Sequence, residues 1–173
     1  MAHVIIKPQV GFIDAVMLAF KKSFTFTGRI RRSEYWWAVL GIGIINLVLC
    51  WIPVVGILSN IYLAIVSAAM AFRRLHDTNR SGWWIGGPII GMFAAILVIL
   101  SATGTAFLTG DTDTITNASI AVLGIAGILY IASAIVSIVT LVFCCLDSDQ
   151  SANKYGESPK YVVENEDATT PSY

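Results

Sequence analysis

Long apolar runs separated by short polar knots organise this chain. No charged residue falls between Ala38 and Phe72, and apolar runs follow from Trp83 to Leu108 and from Ala118 to Leu146. The first stretch holds 35 residues. As a single helix it would reach about 52 Å, well past a hydrocarbon core of about 30 Å. Pro53, in "WIPVVG", divides it. The pattern predicts four membrane spans, at about residues 37–51, 54–72, 83–108 and 118–146.

Ahead of the first span, residues 10–24 place Val10, Ile13, Val16, Met17, Phe20 and Phe24 at helical spacings of three and four. Asp14, Lys21 and Lys22 fall on other faces. The segment is too short and too polar to span, which predicts an amphipathic helix lying on the membrane surface. A helix packed on the protein's own cytosolic loops is the alternative. The expected fold class is all-α: a polytopic membrane helical bundle of four transmembrane helices with an N-terminal amphipathic interfacial helix. Residues 1–160 read as one membrane domain, and residues 161–173 as an acidic, disordered tail.

Inside the spans, Ser133, Ser137, Thr140 and Cys144 share one helical face, as do Asn60, Ala64, Ser67 and Ala71. Such small and polar stripes predict helix–helix contacts. Gly82/Gly86 and Gly87/Gly91 make two GxxxG patterns at the start of the third span, with Pro88 between them as a predicted kink. "TGDTDTITN", residues 109–117, reads as a polar loop.

Composition agrees with the membrane reading. Hydrophobic residues make up 56% of the chain and charged residues 13%, where a soluble domain carries about 25% charge. The formal net charge is zero, which argues against a nucleic-acid partner. The three cysteines form neither a zinc pattern nor a disulfide framework. Lys7, Pro8 and Asp14 interrupt the early sequence, so no cleavable signal is expected. All 11 Lys and Arg fall in the N-terminal segment, the second loop or the C-terminal tail. These lie on one side in a four-span layout. The positive-inside rule then places both termini and the second loop in the cytoplasm.

That second loop is "RRLHDTNRSGWW", Arg73 to Trp84. His76 and Asp77 lack a nucleophile in evident reach and the further ligands that a metal would need. No catalytic residue, metal or cofactor is therefore assigned. Within the spans there is no Asp, Glu, Lys, Arg or His, which speaks against a proton-coupled pump. Arginines match phosphate geometry and sit here at headgroup depth. Two readings stay open: a topological anchor with internal Arg–Asp pairing, and recognition of an anionic phospholipid headgroup or other anion.

Three motifs, "FTFTGRIRRSEYWW", "RRLHDTNRSGWW" and "NKYGESP", occur in this order. Together they resemble the DUF805 family of small bacterial inner-membrane proteins. The resemblance implies a multi-pass protein of the bacterial cytoplasmic membrane. It implies no activity, substrate or catalytic residue. It does imply that the motif positions belong together. Arg29, Arg32, Glu34, Arg73, Arg74, His76, Asp77, Arg80, Asn153 and Tyr155 are expected to form one cytoplasmic-face cluster. Glu34 and Asp77 are expected to pair with arginines, with Glu34–Arg74 as the pair to test. The expected role is non-enzymatic: structural, assembly-related or partner-binding, with a homo-oligomer or a membrane protein as partner. The alternative is binding or transport of an anionic lipid or small solute at the cluster.

Overall fold

The computed structural model describes residues 3–109 and 112–164. Its elements run β1 (His3–Ile6), α1 (Phe12–Lys21), α2 (Arg32–Leu49), α3 (Pro53–Asp77), a single 3₁₀ turn (Gly82–Trp84), α4 (Gly86–Thr109), α5 (Thr112–Cys145) and β2 (Tyr161–Glu164). The chain divides into two compact units, Met1–Gly82 with Phe143–Tyr173, and Trp83–Val142.

In the first unit, α2 and α3 form an antiparallel hairpin. Pro53 occupies the start of α3, where a missing N–H costs nothing and a fixed φ suits the helix. The core joins Ala19 of α1, Ala38 and Ile42 of α2, and Leu63, Val66 and Met70 of α3. Small residues set the approach of α1. Ala15 and Ala19 are buried, and a Cβ on Gly41 would overlap a Val16 methyl. The bulky Ile13, Met17 and Phe24 stay exposed. Helix α1 therefore packs on the two long helices, and its buried stripe is the alanine one. The alternative of packing on cytosolic loops does not describe it.

Three stretches are long and apolar enough to cross a membrane: Pro53–Asp77, Gly82–Gly104 and Ile120–Cys145. Helix α2, expected as the first of four spans, is not among them. Arg32 and Glu34 occupy its first turn, and the apolar remainder from Tyr35 to Leu49 reaches only roughly 22 Å.

Helix boundaries correct the expected loops. Helix α3 continues past Phe72 to Asp77, so the first five residues of the second loop are helical. Helix α5 begins at Thr112, which makes most of the expected 109–117 loop helical too; residues 110 and 111 lie outside the described residues. Pro88 falls in the first turn of α4. An N–H there has no intrahelical partner to lose, so the expected cause of a kink is absent.

Beside the helices there is one short strand pair. β1 and β2 pair antiparallel, with Ile5 opposite Val162 and Ile6 opposite Tyr161. The tail expected to be disordered therefore starts as a strand, because β1 supplies backbone partners from the far end of the chain. Residues 165–173 lie outside the described residues.

In the second unit, the serine stripe of α5 faces α4. A Cβ on Gly91 would overlap Ser133 Oγ, so the glycine permits close approach. The stripe's hydroxyls return to their own helix: Ser133 to the Leu129 carbonyl, Ser137 to that of Ser133 and Thr140 to that of Val136, each at 2.8 Å. That satisfies each donor without a partner helix.

Candidate functional site

The site grows from the way α3 ends. A helix leaves its last carbonyls without intrahelical partners. Thr78 is the C-cap, and Asn79 takes φ 58° in the left-handed region. Asparagine tolerates that conformation better than most residues. The Arg80 N–H then reaches the Leu75 carbonyl at 2.9 Å, and the Asn79 N–H reaches that of His76 at 3.1 Å. This is a Schellman ending, and it accounts for the order of residues in "LHDTNR". Other segments take the remaining acceptors. The Ile30 N–H donates to the Arg73 carbonyl at 3.3 Å, and the Asp149 N–H to the Asp77 carbonyl at 3.2 Å.

Asp77 places a carboxylate at the negative end of a helix, where the dipole disfavours it. Two arginines reverse the balance. Arg29 Nε lies 3.0 Å from Asp77 Oδ1, and Arg74 Nη1 lies 2.5 Å from Oδ2. Ser148 Oγ donates to the same Oδ2 at 2.5 Å. Asp77 and Arg74 are fully buried.

Both guanidiniums are then spent on the backbone. Arg29 gives its other N–H groups to the carbonyls of Asp77 (3.3 Å), Asp149 (2.8 Å), Ser151 (2.9 Å) and Gly156 (3.1 Å). With Asp77 Oδ1, that uses all five donors of an arginine. Arg74 bonds the carbonyls of Cys144 (3.0 Å) and Ile30 (3.2 Å), and also that of Leu146. The two side chains tie the "TGR" segment, the end of α3 and the chain after α5 into one knot.

His76 and the third motif complete it. The His76 Nδ1 lies 3.2 Å from the Gly28 carbonyl, so that nitrogen carries the proton. Its ring stacks on Tyr155 at 3.8 Å and 7°. Asn153 Nδ2 donates to the His76 carbonyl at 2.9 Å, while Asn153 Oδ1 accepts from the Tyr155 N–H at 2.9 Å. Gly156 closes this turn at φ 127°, a conformation open essentially to glycine alone. In "NKYG", Asn153 thus anchors, Tyr155 stacks and Gly156 turns the chain.

Of the expected cluster, Arg29, Arg74, His76, Asp77, Asn153 and Tyr155 are joined. Arg80 lies 3.9 Å over the Phe143 ring, and the exposed Arg32 reaches the Cys145 carbonyl at 3.4 Å. Glu34 and Arg73 stand apart. Burial pushes the Glu34 carboxyl above its ordinary value, opposed by the charges of Lys22, Arg73 and Arg31. Arg74 is not among these neighbours, so the expected Glu34–Arg74 pair is corrected. Asp77, three residues on along the same helix face, takes Arg74 instead. Sequence reasoning missed Ser148 and the carbonyl acceptors, since a backbone acceptor leaves no side-chain signal. It also passed over Arg31, which ties down the N-terminal strand's exit through the carbonyls of Lys7 (2.8 Å) and Pro8 (3.3 Å).

The family described as "Protein of unknown function (DUF805)" matches residues 23–157, which contain the whole knot. The inner membrane protein YhaH of Escherichia coli (strain K12) is 38% identical over 100 residues, covering 51% of this chain and 83% of that protein. The inner membrane protein YhaI of the same strain is 28% identical over 144 residues, covering 79% and 86%. No solved structure matches this chain. The family match takes in most of the chain, the first two motifs and "NKYGE" of the third, and this protein belongs to the DUF805 family.

Proposed function

We propose that this protein is a four-span integral protein of the bacterial inner membrane with both termini in the cytoplasm. It acts without catalysis, as a structural or partner-binding element that presents a rigid cytoplasmic face. The observation that carries the reading is the spending of Arg29. All five of its donors go to acceptors of the same chain. Catalysis or ligand capture needs donors that can turn to a substrate, whereas these hold three chain segments together.

Parity supports an even number of crossings. β1 pairs with β2, and Arg29 joins the end of α3 to residues 149–156. These pairings support a layout in which the segments share one side of the membrane. Between residues 31 and 73 the chain leaves and returns, so α3 crosses only together with α2. The same holds for α4 with α5. A short α2 is accommodated by local thinning of the bilayer and by Trp36 and Trp37 near its polar end. The bulky exposed face of α1, with Lys21 and Lys22 at its end, suits the interface. The all-or-none sorting of basic residues and the names of the two E. coli relatives support the cytoplasmic side and the inner membrane.

Single cysteines in a background lacking Cys50, Cys144 and Cys145 test this. A membrane-impermeant maleimide should label Thr114→Cys in intact cells and Lys154→Cys only after permeabilisation. Labelling of both from the same side would end the four-span layout. Substrate turnover that fails when His76 alone is replaced would end the non-enzymatic reading.

A further inference from the structure

Arg73 does not join the knot made by its neighbours. It is 3% exposed. Its Nε donates to the Ala69 carbonyl at 3.2 Å, but its Nη2 is buried without a hydrogen-bond partner. Among the described residues no carboxylate lies within ion-pair distance of it. A buried guanidinium without a counter-charge is costly, so this position calls for an anion.

Its surroundings define which kind. Glu34, in the first turn of α2, is the acid nearby, and Lys22, Arg31 and Arg73 surround its carboxyl. That is three positive charges to one negative. Glu34 is held too far away to close a pair. The Ser33 hydroxyl beside it is a second buried polar atom without a partner, and α2 starts without a side-chain cap. Lys22 is exposed. Trp36 and Trp37 follow Glu34 closely in sequence at the start of an apolar run, and such rings favour the depth of lipid headgroups. Guanidinium and ammonium groups with an uncapped helix start are the usual ligands of phosphate oxygens.

We propose that this nook binds a phosphate group, with Arg73 as its principal ligand, Lys22 at its mouth and Glu34 as an internal competitor. A phospholipid headgroup and free phosphate offer the same chemistry. The site is distinct from the Arg29–Asp77 knot and does not depend on that knot's role.

The test uses the full chain in mild detergent. Retention of phosphatidylglycerol against phosphatidylcholine is read by native mass spectrometry, with inorganic phosphate as a competitor. Lys22→Gln, an exposed change that should leave folding intact, is expected to lower retention about threefold. Glu34→Gln is expected to raise it by a similar factor, and Arg73→Gln to abolish it in whatever fraction remains folded. Displacement by inorganic phosphate at millimolar concentration assigns the site to free phosphate, and resistance to it assigns the site to lipid. Equal retention in wild type, Lys22→Gln and Glu34→Gln would overturn the proposal. So would a fall in retention with Glu34→Gln, since Glu34 would then be supporting Arg73 rather than competing for it.

Discussion

Arg29 and Asp77 are 48 residues apart in sequence, and their side chains meet at 3.0 Å with both almost wholly buried. The contact closes the end of α3 against the segment that leads into α2. It is charge-assisted and sits away from water, so it is stronger than a surface ion pair. Its partners are also expensive to separate, because either charge left alone would be buried without compensation.

Asp77→Ala is therefore expected to cost roughly 3–5 kcal/mol. It leaves two guanidiniums facing each other with their shared carboxylate gone. Arg29→Lys removes the planar fork that reaches five acceptors and should be destabilising despite keeping the charge. Unfolding in detergent micelles, run as a double-mutant cycle, should give a coupling on the order of 1–3 kcal/mol between positions 29 and 77. Simple additivity would show that the two residues do not act as a unit.

Asn79 tests the helix ending. At φ 58°, Asn79→Gly should be close to neutral, since glycine enters this region freely. Asn79→Val should cost roughly 1–2 kcal/mol, the penalty of a left-handed conformation for a branched residue. If both changes behave alike in thermal melts, the Schellman ending is not what positions Arg80 and the following turn.

Gly41 and Gly43 separate close packing from helix propensity. A Cβ at Gly41 would overlap a Val16 methyl, while one at Gly43 would meet nothing within 4 Å. Valine is stiff about χ1, so α1 must shift to admit the extra methyl. Gly41→Ala is expected to cost about 1–3 kcal/mol. Gly43→Ala should be neutral or stabilising by up to about 1 kcal/mol. Melting temperatures of the two variants in the same detergent decide it, and a harmless Gly41→Ala would mean that α1 is not seated on α2 this closely.

Two carboxylates predict opposite pH behaviour. Burial raises Glu34 above its ordinary value of 4.5. The stability associated with its proton is present below that value and is lost as pH rises through the raised one. Glu34→Gln should therefore melt higher than wild type at neutral pH and lose that advantage in acid. Asp147 lies the other way. The hydrogen bond from Lys160 holds it below its ordinary 3.8, aided by the Ser148 amide, Lys160's charge and Tyr161. Its contribution is present above 3.8 and disappears as pH falls through the lowered value, so Asp147→Asn should lose that part of the acid dependence. Melting curves of both variants from mild acid to neutral pH would show whether the two signs differ as stated.

The residue pattern alone determined the apolar runs, the break at Pro53, the absence of basic residues from those runs and the three motifs. Each is a local or additive property: a long run of apolar side chains favours lipid, and a proline is tolerated only where its missing N–H has no intrahelical partner, as at the start of α3. Six of the ten expected cluster positions do meet, because the end of α3, the segment before α2 and the chain after α5 are tied together by the Arg29 and Arg74 side chains. Tertiary structure decided the rest. Which acid takes Arg74 depended on the face of α3 that turns toward the knot, where Asp77 is on the same helix, while the charges acting on Glu34 are those of Lys22, Arg73 and Arg31. The short β1–β2 pairing depended on two chain ends meeting, and neither strand has enough residues to announce itself. The acceptors that exhaust Arg29 are backbone carbonyls, common to every residue type, so only their positions in space distinguish them. The separation of Arg73 from Arg74 has the same origin. Adjacent residues on a helix point about 100° apart, and that turn sends one arginine into a saturated knot and leaves the other buried beside Glu34 without a counter-charge.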